Sequence, residues 1–326
     1  MSAPRKRTCS YFPGCSLMAT NRAYDISCRS VARTLGLELA ELDDWNCCGA
    51  TAYIAINEKQ SFVLSARNLA LAEAQSAPPH PTLSPPGRGQ GEGGHELIVI
   101  CNGCYVTLHK AEKYLAEDAS LRQQVQGALR AGGMDYRNSV HVRHFLDVMV
   151  RDVGEEEIRR RVKQPLSGWK VAPYPGCQIG RPFGEIDDPE FPTLLDRLLT
   201  WLGAEVVPFG LKAKCCGGMM MTTQPAVGRN LSGKILTTAK DAGAEYVATA
   251  CPLCHINLEA YQNDISAALG ADCHISVLYF TQLMGLAFGL DAKELALADN
   301  LTPLTLPSPQ GGEGGVRGAA LAETRG

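Results

Sequence analysis

The sequence has no hydrophobic run long enough to cross a membrane. Its longest charge-free apolar stretch, from Ile275 to Leu290, is interrupted by Thr281, Gln282 and two glycines and is shorter than the roughly 20 residues that a membrane helix needs. We interpret it as a strand followed by a buried or partner-facing helix. No apolar segment of the signal-peptide kind follows the basic start of the chain, so we expect a cytoplasmic protein without a transmembrane segment.

The chain also lacks an excess of positive charge. Its formal net charge is −3 and no basic stripe runs along it, which argues against nucleic acid as a partner. No nucleotide-binding fingerprint appears between a predicted strand and a predicted helix. With 326 residues, 45% of them hydrophobic, the chain is long enough for two ordinary domains with cores of their own.

Cysteine, in contrast, is abundant. The chain has 13 cysteines, and in a cytosolic protein this density indicates metal or redox chemistry and not a disulfide scaffold. Two of them are adjacent in the motif Cys47-Cys48-Gly49, where a disulfide between neighbours would close a strained ring. Because glycine has no side chain, the backbone there can approach a bulky inorganic ligand. Such a motif is suited to holding a metal cluster.

The motif occurs twice, with the same flanking motifs in the same order. Each copy has a Pro-Gly-Cys turn, then Cys-Cys-Gly, then Cys-x-x-Cys. The cysteines of the first copy are Cys15, Cys47, Cys48, Cys101 and Cys104, and those of the second are Cys177, Cys215, Cys216, Cys251 and Cys254. The sequence therefore contains two copies of one five-cysteine site.

A low-complexity segment accounts for the difference in length between the copies. The Cys-x-x-Cys motif begins 53 residues after Cys48 in the first copy and 35 residues after Cys216 in the second, an excess of 18. Residues 78–94 are rich in proline and glycine and are echoed by residues 305–315. We predict a first domain at 1–165 with a disordered insertion at 77–95, a second domain at 166–298, and a disordered tail at 299–326.

Predicted strands and helices alternate in both copies, which indicates parallel sheets. The fold class is therefore α/β, with two similar Rossmann-like halves related by internal duplication. Every cysteine motif follows a strand, and the carboxyl ends of parallel strands share one edge, so the five thiols of each half can converge. The stretch after Cys104 to about Val162 is expected to be helical. The expected strands are Arg7–Phe12, Leu37–Leu42, Glu96–Ile100, Trp169–Tyr174, Ala204–Phe209 and Glu245–Thr249.

Five thiolates in each copy exceed what a single tetrahedral ion needs. Four would suit zinc, but a zinc site would leave one cysteine of each copy unused, so the pattern favours an iron–sulfur assembly. A redox dithiol at either Cys-x-x-Cys motif would leave the Cys-Cys-Gly pairs unexplained. Cys28 lies on the apolar face of a predicted helix and is expected to be structural, and no role is assigned to Cys9 or Cys273.

His255 directly follows the second Cys-x-x-Cys motif. This completes the Cys-x-x-Cys-His pattern of c-type haem attachment, but Tyr105 stands at the equivalent position of the first copy, and haem attachment of that kind needs an exported protein. We interpret the match as accidental. His255 is instead the candidate catalytic residue, as a proton donor near the metal group, with a plain role at the start of a helix as the alternative.

Together, the paired motifs resemble the B subunit of heterodisulfide reductase, from about Cys9 to Leu290, and the segment 277–286 resembles the closing segment of that family. The resemblance implies two non-cubane 4Fe–4S clusters, held by the two five-cysteine sets given above. It also implies that the clusters flank one cavity where a disulfide is split. The partners implied are the iron–sulfur C subunit and the flavin-containing A subunit of a heterodisulfide reductase-like complex.

Three functions from different classes remain open. The first is a catalytic subunit that interconverts a disulfide and two thiols, with a coenzyme heterodisulfide, a persulfide or a lipoyl group as substrate, the last two in sulfur oxidation. Since a disulfide takes two electrons, two facing clusters could supply one each. The alternative is a non-catalytic electron-transfer subunit of a quinone-linked dehydrogenase complex. A zinc-stabilised scaffold is a third class.

Overall fold

Four parallel strands form the sheet of the first half. They are β1 (Arg7–Phe12), β2 (Leu37–Glu41), β3 (His95–Val99) and β4 (Val140–His144), and they lie in the order β2-β1-β3-β4. The computed structural model describes residues 7–50, 52–75, 95–302 and 304. The low-complexity segment at 78–94 and the part of the predicted tail from 305 onward therefore lie outside the described residues.

The sheet of the second half repeats this arrangement. Its strands are β5 (Lys170–Tyr174), β6 (Glu205–Val206), β7 (Tyr246–Thr249) and β8 (Ser276–Tyr279), and they lie in the order β6-β5-β7-β8, again all parallel. In both sheets the second strand lies at the edge and the first strand lies between the second and the third. The predicted α/β fold with two similar, duplicated halves is thus confirmed.

Helices connect and cover the strands of both sheets. Among the described residues, no helix has the length and apolar character needed to span a membrane. The helices are α1 (Arg22–Thr34), α2 (Ala52–Ile56), α3 (Glu58–Gln75), α4 (Asn102–Glu117), α5 (Ala119–Ala131), α6 (Phe145–Asp147), α7 (Gly154–Arg161), α8 (Leu194–Trp201), α9 (Met220–Thr223), α10 (Pro225–Asp241), α11 (Pro252–Glu259), α12 (Gln262–Leu269) and α13 (Phe280–Ala287).

Strand β4 corrects the prediction that residues 105–162 are entirely helical. Its apolar residues alternate with His141 and Arg143, and these polar residues obscured the strand pattern. Arg143 is nevertheless buried, because Asp147 and Asp152 accept hydrogen bonds from its guanidinium at 2.9 and 3.0 Å. Partners outside the strand thus allow a buried charge within the sheet.

The two halves pack on each other through α1 and α13. Tyr24 stacks on Tyr279 at the end of β8, with ring centroids 4.1 Å apart, and its hydroxyl donates to the carbonyl of Ala250 at 3.1 Å. The hydroxyls of Ser27 and Thr281 are 2.7 Å apart. Helix α13 is almost completely buried, as predicted for the apolar stretch that follows β8.

Some contacts extend beyond the predicted domain limits. Asn300 donates to the carbonyl of Val277 at 3.0 Å, and the backbone N–H of Thr302 donates to Glu259 at 3.1 Å, although the predicted tail begins at residue 299. His95, the last residue of the predicted insertion, begins β3. The boundary between residues 165 and 166 remains a prediction.

Candidate cluster-binding site

The five cysteines of the first half lie where its strands end. Cys15 follows β1 in a single turn of 3₁₀ helix, Cys47 and Cys48 lie in the loop after β2, and Cys101 and Cys104 lie at the start of α4 after β3. In a parallel sheet these ends share one edge. Five thiols from three separate parts of the sequence therefore come together.

These five thiols form a connected row. The Sγ atoms of Cys15 and Cys47 are 3.7 Å apart. Cys48 is hydrogen-bonded to both Cys47 and Cys104, and Cys104 is hydrogen-bonded to Cys101. The row offers five soft sulfur donors, more than one tetrahedral ion binds.

The five thiols of the second half are arranged in the same way. Cys177 is hydrogen-bonded to Cys215, and Cys215 to Cys216. The Sγ atoms of Cys216 and Cys254 are 3.5 Å apart, and Cys254 is hydrogen-bonded to Cys251. The internal duplication therefore extends from the strands to the thiol contacts.

The two rows meet at their Cys-x-x-Cys motifs. The thiols of Cys101 and Cys251 are hydrogen-bonded to each other across the boundary between the halves. Beside them, the side-chain amide of Asn102 donates to the carbonyl of Pro175 at 2.7 Å. The ten thiols thus form one continuous array, to which each half contributes five.

Two glycines make room for the array. Gly14 and Gly176 have φ angles of 83° and 87°, in the left-handed region that favours glycine. A Cβ at Gly14 would lie 2.8 Å from the Sγ of Cys104, and a Cβ at Gly176 would lie 3.1 Å from the Sγ of Cys254. The Pro-Gly-Cys turns therefore require glycine for two reasons: the backbone has a positive φ, and a side chain would lie too close to a cysteine sulfur.

Hydrogen bonds among the thiols favour a thiolate at the first cysteine of each Cys-Cys-Gly motif. Hydrogen bonds from Cys15 and Cys48 lower the pKa of the Cys47 thiol. In the second half, Cys177 is the main cause of the lowered pKa of Cys215. Because the thiolate is the form that binds metals, each row contains a ready ligand.

The donor set fits an iron–sulfur group. Among the residues that the structure describes, no three His, Cys, Asp or Glu side chains surround a point suited to one metal ion. The thiols form extended rows, and rows of cysteine thiolates are the ligands of groups with several iron atoms. The glycine turns leave space next to the sulfur atoms, as a bulky inorganic group requires.

Comparison with known proteins identifies the domain that carries these rows. The family described as CCG, cysteine-rich domain, matches residues 9–109 and 171–259, one match in each half. The chain belongs to the CCG cysteine-rich domain family. Its two halves are therefore paired CCG domains, and the thiol rows are formed by the cysteines of these domains.

Relatives of this CCG protein are similar over most of its length. The 8-methylmenaquinol:fumarate reductase membrane anchor subunit of Wolinella succinogenes is 32% identical, over 91% of this chain and 97% of that protein. The B subunit of the ferredoxin:CoB-CoM heterodisulfide reductase of Methanosarcina mazei is 26% identical, over 89% and 92%. A protein of Archaeoglobus profundus, named as similar to the heterodisulfide reductase B subunit, is 28% identical, over 87% and 92%. The resemblance to the B subunit of heterodisulfide reductase is confirmed.

A solved structure shows the same fold. The crystal structure of a hypothetical protein from Helicobacter pylori has a TM-score of 0.70 and 15% sequence identity over 93% of this chain. This chain spans 53% of the length of that one. At this identity the similarity concerns the fold alone.

Three cysteines lie outside the array of this CCG protein. Cys28 is fully buried on α1, and burial raises the pKa of its thiol. Cys9 in β1 is also buried, which raises its pKa to about 11, and Cys273 is buried before β8. A buried neutral thiol packs as a small apolar side chain.

His255 lies against the aromatic core. Its ring stacks on Tyr279 with centroids 4.0 Å apart, and its Nδ1 lies 3.4 Å from Oε2 of Glu259. Burial lowers the pKa of His255 to about 3, so the ring is neutral. Its Nε2 has no hydrogen-bond partner among the described residues. The catalytic role of His255 remains a prediction.

Sequence reasoning missed the polar residues that support the Cys-Cys-Gly motifs. The hydroxyls of Ser65 and Ser232 donate to the carbonyls of Cys48 and Cys216, both at 2.8 Å. Each serine follows its cysteine at nearly the same spacing, 17 residues in the first domain and 16 in the second, and this match could have revealed them. Asn257, on α11, is a further polar neighbour of Cys216.

Proposed function

We propose that this CCG protein is the catalytic iron–sulfur subunit of a heterodisulfide reductase-like complex and interconverts a disulfide and two thiols. The observation that carries this proposal is the continuous array of ten thiols, complete in both domains and joined at Cys101 and Cys251. Cleavage of a disulfide takes two electrons. Two adjoining sites can supply one electron each, whereas a simple electron relay would need only one such site.

The residues of each row have distinct tasks in this function. Each five-cysteine set would hold one non-cubane 4Fe–4S cluster, and such a cluster supplies electrons and iron atoms that bind sulfur. Cys48 and Cys216 are buried, whereas Cys15 and Cys215 are exposed. We infer that the disulfide approaches from the side of the exposed thiols. Reduction adds two electrons and two protons to the disulfide and releases two thiols, and the reverse reaction oxidises two thiols to a disulfide and releases the electrons and protons.

We infer that the chain works within a complex of several proteins. The names of the similar heterodisulfide reductase proteins themselves refer to B subunits. An iron–sulfur C subunit and a flavin-containing A subunit would supply or accept the electrons. The substrate would be a coenzyme heterodisulfide, a persulfide or a lipoyl disulfide. The cytoplasmic location predicted from the sequence stays a prediction, which fractionation of cells would test.

The similarity to a membrane anchor subunit favours a second candidate function. That relative is 32% identical, against 26% for the Methanosarcina mazei protein, and its name includes a menaquinol and fumarate reductase. In this function the chain would be an electron-transfer subunit of a quinone-linked dehydrogenase complex. Both candidates need the same ten cysteines, so iron content does not separate them.

Addition of a disulfide to the anaerobically purified protein separates these functions. We expect iron and not zinc, and a paramagnetic spectrum that changes when lipoamide disulfide or the CoB-CoM heterodisulfide is added. The matching thioether, which has no disulfide bond to cleave, is the control and should leave the spectrum unchanged. If neither disulfide changes the spectrum and the protein reduces a quinone analogue, the electron-transfer function is supported. Stoichiometric zinc would contradict both.

A further inference from the structure

The two CCG domains support their Cys-Cys-Gly motifs with matched donors. In the second domain the backbone N–H of Gly217 donates to the Sγ of Cys215 at 3.3 Å, and in the first domain the N–H of Gly49 donates to the sulfur of Cys47. The carbonyl of each second cysteine accepts from a serine at 2.8 Å. Each domain therefore serves as a reference for the other, and a donor without a counterpart marks a difference between the sites.

Asn257 is such a donor. It lies three residues after Cys254 and is almost completely buried. Its Nδ2 is 2.9 Å from the carbonyl oxygen of Gly218, 3.4 Å from the carbonyl oxygen of Cys216 and 3.6 Å from the Sγ of Cys216. A side-chain amide has two N–H hydrogens, so one can bind the carbonyl of Gly218 while the other is shared between the carbonyl and the sulfur of Cys216. The bond to Gly218 thus holds the amide in place against Cys216.

Thr107 occupies the equivalent position of the first domain, three residues after Cys104. Its hydroxyl donates to the carbonyl of Gly103 at 2.8 Å, back into its own helix. That hydrogen is therefore not directed at the sulfur of Cys48. Cys48 and Cys216 are equally buried, at 2% and 3% exposure, so solvent does not compensate for the difference.

We propose that Asn257 is a positioning residue that raises the reduction potential of the group held by the second CCG domain above that of the first. Hydrogen bonds to ligand sulfurs are among the factors that set this potential, because they withdraw negative charge and favour the reduced state. Electrons shared between the sites then reside preferentially in the second domain. The proposal rests on the iron–sulfur occupancy in the proposed function, but not on the identity of the substrate.

A redox titration of the anaerobically purified full chain, followed by electron paramagnetic resonance, tests the proposal. Asn257→Thr copies the first domain. We expect it to lower the reduction potential of the second-domain signal by about 59 mV, which corresponds to about a tenfold change in the equilibrium constant of a one-electron reduction. The reduction potential of the first-domain signal should stay unchanged. The variants Cys48→Ser and Cys216→Ser assign the signals to their domains.

The reciprocal exchange keeps the test decisive if Asn257→Thr lowers iron content. Thr107→Asn should raise the potential of the first-domain signal. Thr107→Ser, which keeps the hydroxyl that donates to Gly103, is the matched control and should move neither potential. The proposal is overturned if Asn257→Thr leaves the gap between the potentials unchanged, or if Thr107→Asn fails to raise the first potential.

These outcomes are independent of the disulfide experiment. If Asn257→Thr and Thr107→Asn shift the reduction potentials but added disulfides leave the spectrum unchanged, disulfide chemistry is rejected and the role of Asn257 is retained. If an added disulfide changes the spectrum but neither substitution shifts a reduction potential, the proposed function is retained and the role of Asn257 is rejected.

Discussion

Contact with other thiols, and not burial, separates the cysteines of the array from the remaining ones. Cys28 and Cys48 are similarly buried, at 0% and 2% exposure. Both belong to the same hydrophobic core, but Cys48 is hydrogen-bonded to the thiols of Cys47 and Cys104, whereas the charged groups that act on the Cys28 thiol are Asp25 and Arg29. A lone buried thiol packs like a small apolar side chain, and a row of thiols is a ligand set.

At this residue scale, we expect Cys48→Ser to remove the iron of the first domain, about half of the total, because a hydroxyl is a harder and weaker iron ligand than a thiolate. Cys28→Ala should keep all the iron and lower the free energy of unfolding by about 1 kcal/mol through lost packing. Iron analysis, paramagnetic spectra and urea unfolding measure these effects. Cys216→Ser is the matched variant and should remove the other signal. Equal iron loss in Cys28→Ala and Cys48→Ser would show that Cys28 is a ligand.

At the scale of elements, one carboxylate attaches α4 to β4. Glu112 accepts hydrogen bonds from His109 at 2.9 Å, from His141 at 2.8 Å and from the N–H of Val142 at 3.1 Å. Helix α4 begins at the first Cys-x-x-Cys motif. The attachment therefore helps to hold that motif at the edge of the sheet.

This attachment should depend on pH in two directions. Burial raises the pKa of Glu112, but hydrogen bonds from His109 and His141 outweigh it and leave the pKa lowered, while the hydrogen bond to Glu112 raises the pKa of His141. The contribution of Glu112 is present above its ordinary value of 4.5 and is lost as the pH falls. The contribution of His141 is present below its ordinary value of 6.5 and is lost as the pH rises through the raised pKa.

Glu112→Gln should therefore reduce the free energy of unfolding most between these two values and less on either side. We expect a maximal loss of about 1 kcal/mol, since His141 is half exposed and solvent weakens the pair. Urea unfolding at about pH 4, about pH 5.5 and about pH 8 measures the loss. Glu117→Gln, at an exposed position of the same helix, is the control. A loss that is the same at all three values would contradict this account.

At the scale of the whole molecule, the duplication shows which parts of the chain the site needs. Helix α3 and strand β3 are separated by 19 residues, whereas the equivalent elements α10 and β7 are separated by four. The thiol rows are nevertheless alike in the two domains. We therefore expect that the extra residues of the first domain are not needed for the arrangement of its thiols.

Replacement of residues 76–94 by the four residues 242–245 should leave iron content and the thermal midpoint of unfolding unchanged. The second domain shows that four residues can connect these elements, and a shorter loop also costs less entropy to close. Iron analysis and thermal unfolding of the intact and shortened chains provide the measurement. Selective loss of the first-domain signal would mean that the segment supports the site.

Most of the fold was predictable because it depends on local patterns. The bounds of β1 and the helical spacing of Tyr24 and Cys28 on α1 agree with the sequence prediction. Strand β6 is shorter than the predicted Ala204–Phe209, and β4 was predicted as helix. In β4 the burial of Arg143 depends on acidic partners outside the strand, which a local pattern does not reveal.

Sequence alone was enough to recognise the two five-cysteine sets, the alternation of strands and helices, and the duplication, because each is a repeat along the chain. The contact between Cys101 and Cys251 depends on the tertiary structure, since they are 150 residues apart and belong to different halves. The tertiary structure alone decided that Asn257 faces Cys216 while Thr107 bonds within its own helix. Spacing along the chain makes these two positions equivalent, and the direction of each side chain makes them different.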